Sequence, residues 1–216
     1  MKASIPRIIA ALAIGASLTP SLTAGPEILI YPLARVFGSP SESDLAKCRQ
    51  AFAQLQAHLG TSRVVVEPVL FVENGERSWR RDLAEAIVQH SAASTDAKLE
   101  VANSAPTAAA TKFGHNQMRY TWERASAYGQ WVKDTHPAGD YLLVTEVWGW
   151  QGKVAAIQVY VLNATGQVAY CRLFNSHHFG PDLPLVGDEP IKLLVKQLFK
   201  DLPRDPKQIF PPYGVG

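Results

Sequence analysis

Two patterns alternate along the chain: runs that are apolar at nearly every position, and stretches in which apolar residues recur every third or fourth place. A buried strand gives the first and a helix with one buried stripe gives the second. Glu27–Leu33 (EILIYPL) predicts a first strand ended by Pro32. In 39–60, Leu45, Cys48, Phe52, Leu55 and Leu59 form a helical stripe that Ser41 or Ser43 can cap and Gly60 ends. RVVVEPVLFV, 63–72, returns to strand, bent or edged by Pro68. SWRRDLAEAIVQH, 78–90, predicts a helix capped by Ser78, with Trp79, Leu83, Ala86, Ile87 and His90 along one side.

A short strand is expected at Leu99–Val101, and TAAATKFGHN reads as a loop before the longest helix. In that helix Met118, Trp122, Ala125, Gly129 and Val132 share a face, and His136, Pro137 and Gly139 break it. Gly129 costs about 1 kcal/mol of helix propensity relative to Ala, so its place in the stripe points to a close approach to a sheet. DYLLVTEVWGW, KVAAIQVYVLN and QVAYCRLFN are three strand runs, the last two joined by ATG with Gly166 suited to a left-handed turn. They predict an antiparallel meander whose middle strand is covered on both faces. IKLLVKQLFKDL, 191–202, closes the pattern as a helix with Leu193 or Leu194, Leu198 and Leu202 inward.

Together these elements predict an α/β fold: a mixed sheet of alternating strands and helices, then a three-strand antiparallel meander and a C-terminal helix. The expected organisation is a signal peptide at 1–24, a single α/β domain at 25–203, and a proline-rich extended tail at 204–216. ILIYPL near the start and AGDYLLVTEVWGW…VAAIQVYVLNATGQVAYCRLF further on resemble a group of secreted bacterial domains. That group includes the curli-secretion lipoprotein CsgG and the N-terminal domain of TolB. The resemblance implies a role in cell-envelope assembly or interaction without catalysis. The chain departs from CsgG in having no lipid-attachment cysteine after the leader, and from TolB in ending before a propeller could begin.

Composition places the chain outside the cytoplasm. Lys2 and Arg7 precede an uncharged apolar run from Ile8 to Leu18, and Leu22 and Ala24 suit signal peptidase. The run falls short of the roughly 20 apolar residues that span a bilayer, and no later run does so. Removing residues 1–24 lowers the 21 basic residues to 19, against 19 acidic ones. A balanced chain without a basic run gives no electrostatic reason to bind nucleic acid. The expected location is the periplasm or the exterior, an oxidising setting in which Cys48 and Cys171 are a candidate disulfide.

Chemistry has few footholds. His177 and His178 are adjacent, and in extended chain they point to opposite sides, so both cannot ligate one ion. A metal site would join one of them to Asp182, Asp188 or Glu189. A hydrolase would use Ser176 with a histidine as base and Asp182 or Asp188 to orient it, although no GxSxG elbow is present. Such an enzyme centred on His177 and His178 is one alternative function. The preferred reading is a non-catalytic domain that binds an envelope protein partner, and no cofactor signature appears. Glu146, Trp148 and Trp150 alternate on one strand and Tyr170 and Arg172 on another, a candidate binding face for a protein or, through the two tryptophans, for glycan. The competing reading is a cross-strand Glu146–Arg172 pair among buried aromatics.

Overall fold

The computed structural model describes residues 40–110 and 121–210. The leader, the predicted strand Glu27–Leu33, Met118 and residues 211–216 lie outside the described residues. In chain order the elements are α1 (Glu42–His58), β1 (Arg63–Val66), β2 (Val69–Glu73), β3 (Glu76–Arg80), α2 (Arg81–Ser91), β4 (Lys98–Val101) and α3 (Thr107–Ala110). They continue with α4 (Thr121–Thr135), β5 (Tyr141–Trp150), β6 (Lys153–Asn163), β7 (Val168–Asn175), α5 (Ser176–Phe179), α6 (Glu189–Asp201) and α7 (Pro206–Ile209). The expected mixed α/β architecture is present.

β5 is the axis of the sheet. β1 and β2 lie end to end along one side of it, both parallel to it, with Val66 opposite Leu143 and Leu70 opposite Glu146. Four steps on one strand meet three on the other, so Glu67–Pro68 carries a bulge where proline cannot join a ladder. β4 pairs parallel with β1, and β3 antiparallel with β2. On the other side of β5, β6 and then β7 form the predicted antiparallel meander. Gly166 takes the left-handed conformation expected for its turn (φ 75°).

Three sequence expectations change, the first being that Thr107–Ala110, the start of the segment read as a loop, forms the helical turn α3. Asn74 and Gly75 both have positive φ, 50° and 92°, the pairing that closes a two-residue hairpin. The segment expected to start a helix at Ser78 therefore begins as β3: Ser78 pairs with Phe71 and Trp79 with Leu70, and α2 starts at Arg81. The tail expected to be extended from 204 opens with α7, capped by the Asp205 side chain on Lys207 N with Pro206 in the first turn. Ile209 and Phe210 are buried, and Phe210 sits edge-on to Phe52 with ring centroids 6.1 Å apart.

The sheet is covered on both faces. Phe52 of α1 stacks on Tyr170 at 6.0 Å, and Tyr170 donates to Asp201 of α6 at 2.9 Å, which places α1 and α6 on one face. Tyr128 of α4 meets Tyr160 at 5.2 Å on the other face. Tyr160 and Tyr170 look to opposite sides because Tyr160 pairs with Cys171, the next residue along β7. Gly129 approaches the β6–β7 turn, where a Cβ would run into the carbonyl of Gly166. The close approach read from the sequence is thus made to a turn carbonyl.

Candidate functional site

Under α4 lies a fully buried polar network. Arg124 forms an ion pair with Glu146 and is 3.0 Å from the Tyr128 hydroxyl. Tyr128 donates to Glu146 Oε1 at 2.6 Å, and Trp148 Nε1 donates to Glu146 Oε2 at 3.2 Å. On the neighbouring strand the Tyr160 hydroxyl donates to Gln158. Burial pushes the Tyr128 and Tyr160 hydroxyls well above the usual phenol range, and the nearby Glu146 charge adds to it. Burial opposes the charge of Arg124, but Glu146 and the two tyrosines outweigh it and keep the guanidinium cationic. The network ties α4 to β5, because a buried polar group that loses its partner costs several kcal/mol, roughly 3–5 for a buried ion pair.

This arrangement revises the expected binding face. Glu146 is fully buried and Trp148 only 8% exposed, so of the three alternating residues Trp150 alone, at 61%, faces solvent. Arg172 pairs with Asp201 at 2.8 Å and lies over the Phe174 ring, so the anticipated Glu146–Arg172 pair is replaced by two separate pairs. Strand register is the reason: Glu146 stands opposite Gln158, and Gln158 opposite Leu173. Arg124 and Tyr128 were missed as partners, yet a signal existed. They are four apart on one side of their helix, and Gln158 interrupts an apolar strand, which calls for a buried polar neighbour.

The histidines belong to a short helical turn, α5. The Asn175 side chain accepts from His177 N at 3.1 Å, and His178 Nδ1 closes the reciprocal bond to Asn175 N at 3.3 Å. The His178 ring also meets Phe174 edge-on at 5.4 Å. Asp182 is held by Lys153 Nζ at 2.5 Å, while Asp188 is held by His90 at 2.8 Å and Lys192 at 3.2 Å. The hydrogen bonds of His90 and Lys192 keep the Asp188 carboxyl below its ordinary range. Of the residues proposed for a triad or metal site, Asp182 and Asp188 are thus engaged by Lys153, His90 and Lys192. Among the described residues no group of three His, Cys, Asp or Glu side chains is placed to hold a metal, and no helix is long and apolar enough to cross a membrane.

Cys48 and Cys171 are both free thiols. Burial pushes Cys48 up to about 12 and Cys171 well above its usual range. Cys48 belongs to the buried stripe of α1 with Phe52, which stacks on Tyr170. Alternation turns Cys171 the other way, toward Tyr160.

The described surface has its most conspicuous apolar groups at the end of the sheet where β5 turns into β6. Gly149 has no side chain, and Leu185 occupies the space its Cβ would need. Leu185 N donates to Gly152 O at 2.9 Å, so the loop after α5 is strapped over the hairpin. The Lys153–Asp182 pair anchors one end of this loop and the His90–Asp188 pair the other. Between loop and sheet is a cleft of about 230 Å³ lined by Phe71, Glu73, Arg80, Leu83, Leu185 and Val186. Arg80 lies over Phe71, 5.5 Å from the ring centroid, with both its Nε and Nη2 on Asp82. Val186, 77% exposed, and Trp150 are the exposed large apolar residues of the described chain.

No protein-family model and no curated protein matches the chain. Among solved structures it is similar to the C-terminal domain of LpoB from Salmonella enterica, at 15% identity and a TM-score of 0.34, over 58% of this chain and 92% of that one. It is also similar to E. coli LpoB, determined by NMR, at 15% identity and a TM-score of 0.33, over 81% of this chain and 82% of that one. Neither of these two is a CsgG or TolB domain, and scores of this size carry no inference about function.

Proposed function

We propose that the chain is a secreted or periplasmic domain that catalyses no reaction and binds another protein of the cell envelope through the surface around Val186 and Trp150. The observation that carries this reading is that surface: two exposed apolar side chains at one end of the sheet, with a cleft that has an apolar floor and charged groups at Glu73 and Arg80. Aromatic and arginine groups beside a concave apolar centre are what protein interfaces concentrate. Backbone hydrogen bonds also tie the loop to the β5–β6 hairpin, and a surface held in place by such bonds loses less entropy on association. The leader pattern of residues 1–24 supports the compartment, and the sequence likeness to the CsgG and TolB group supports the same kind of role.

A photo-cross-linking residue at Val186 or Trp150, in the full chain expressed in a bacterial envelope, should give a discrete protein adduct. The same probe at Lys47, exposed on α1, should not. The adduct at Trp150 should be lost when Val186→Asp is added. Adducts that are the same at all three sites, or absent at Val186 and Trp150, would remove the proposal.

A further inference from the structure

The tips of two hairpins meet beside the cleft. Asn74 N donates to Gly149 O and Gln151 N donates to Asn74 Oδ1, each at 3.4 Å, so the β2–β3 turn is bonded to the β5–β6 turn. Glu73 and Glu76 flank the first of these turns and stand directly opposite each other. Residues paired in this way share one face of a sheet, with Cβ atoms about 5 Å apart. That face is the cleft side, because Glu73 and Arg80 both line the cleft. Alternation turns Arg77 and Trp79 to the other face.

Like charges directly opposite each other weaken a hairpin, and a cation between them would relieve the repulsion. The cations bordering the cleft are engaged by other carboxylates. Arg80 is held by Asp82 through Nε at 2.8 Å and Nη2 at 2.6 Å. Lys153 is on Asp182 at 2.5 Å, and Lys192 lies between Asp188 at 3.2 Å and Glu189 at 2.7 Å. Neither Glu73 nor Glu76 forms an ion pair or a side-chain hydrogen bond among the described residues. The rim of the apolar cleft therefore carries two carboxylates without a counter-charge, next to the exposed Val186.

We infer that the segment bound here, given the docking role proposed for this cleft, is basic as well as apolar. An apolar side chain of the partner rests on Phe71, Leu83 and Leu185, and a lysine or arginine beside it in the partner's sequence lies between Glu73 and Glu76. The apolar lining supplies contact area, and the carboxylate pair supplies orientation. Charges at a rim act mainly by speeding encounter and by rejecting partners of the same sign, so an acidic segment is excluded.

The cross-linking residue at Val186, in the full chain expressed in a bacterial envelope, reads this out. Glu73→Gln with Glu76→Gln should lower the adduct at least fivefold, and Glu73→Lys with Glu76→Lys should abolish it. Asp96→Asn should leave it unchanged, because Asp96 is exposed just before β4, near the end of the sheet where β5 begins. A wild-type adduct that survives both double variants would overturn the basic partner and leave the docking surface standing, whereas no adduct in wild type would overturn both. Thermal melts separate binding from a role in the fold. The double glutamine variant should melt no lower than wild type, since it removes a repulsion, and a lower Tm would overturn the inference by showing that the carboxylates serve the hairpin.

Discussion

Arg124→Met isolates the energetics of the network under α4. The substitution keeps the length and apolar bulk of the side chain but leaves the fully buried Glu146 carboxylate without its cation. Losing one member of a buried pair costs about 3–5 kcal/mol, since the remaining charge has given up its water. Glu146 keeps the Tyr128 hydroxyl at 2.6 Å and Trp148 Nε1 at 3.2 Å, which places the cost near the lower end, about 3 kcal/mol. For a domain of this size that is a fall in Tm of about 6–12 °C. Urea and thermal melts followed by circular dichroism measure it directly. Glu146→Leu added to Arg124→Met removes both charges and should recover at least about 1.5 kcal/mol over the sum of the single losses. A single variant within about 1 kcal/mol of wild type, or strict additivity in the double, would show that the pair is solvated and does not fix α4.

Other expectations follow from single residues. Glu67 is 2% exposed, its Oε2 has no hydrogen-bond partner, and burial pushes its carboxyl up to about 7. The folded chain then holds a proton that the unfolded chain releases, so wild-type stability should fall between about pH 4.5 and 7, by roughly 3 kcal/mol at most. Glu67→Gln removes this dependence: its advantage over wild type should be larger at pH 8 than at pH 5, and an equal difference at both would refute the reasoning. Gly129→Ala should lower stability by about 1–3 kcal/mol in a thermal melt, because overlap with the Gly166 carbonyl outweighs the better helix propensity. Thiol counting on denatured, unreduced protein should find both Cys48 and Cys171 free, whereas none free would show that the two are bonded to each other.

What the sequence determined by itself is what depends on local pattern. Period-two and period-3.6 runs placed α1, α6 and the β5–β7 meander, and Gly166 marked its turn, because those signals arise from backbone geometry and one-sided burial. β3 was legible as well, in the Asn74–Gly75 pair, but the helical spacing of Trp79, Leu83 and Ile87 masked it. Only the tertiary structure decided which polar residues meet. Glu146 could turn outward to bind or inward to pair, and the pattern of its strand permits both. Arg124 comes from a helix 22 positions away, so its choice of partner depends on how α4 docks. The same holds for the surface at Val186. Its exposure beside Phe71 and Arg80 results from a loop that is bonded to the β5–β6 hairpin about thirty residues before it and shares a cleft with the β2–β3 hairpin more than a hundred residues before it.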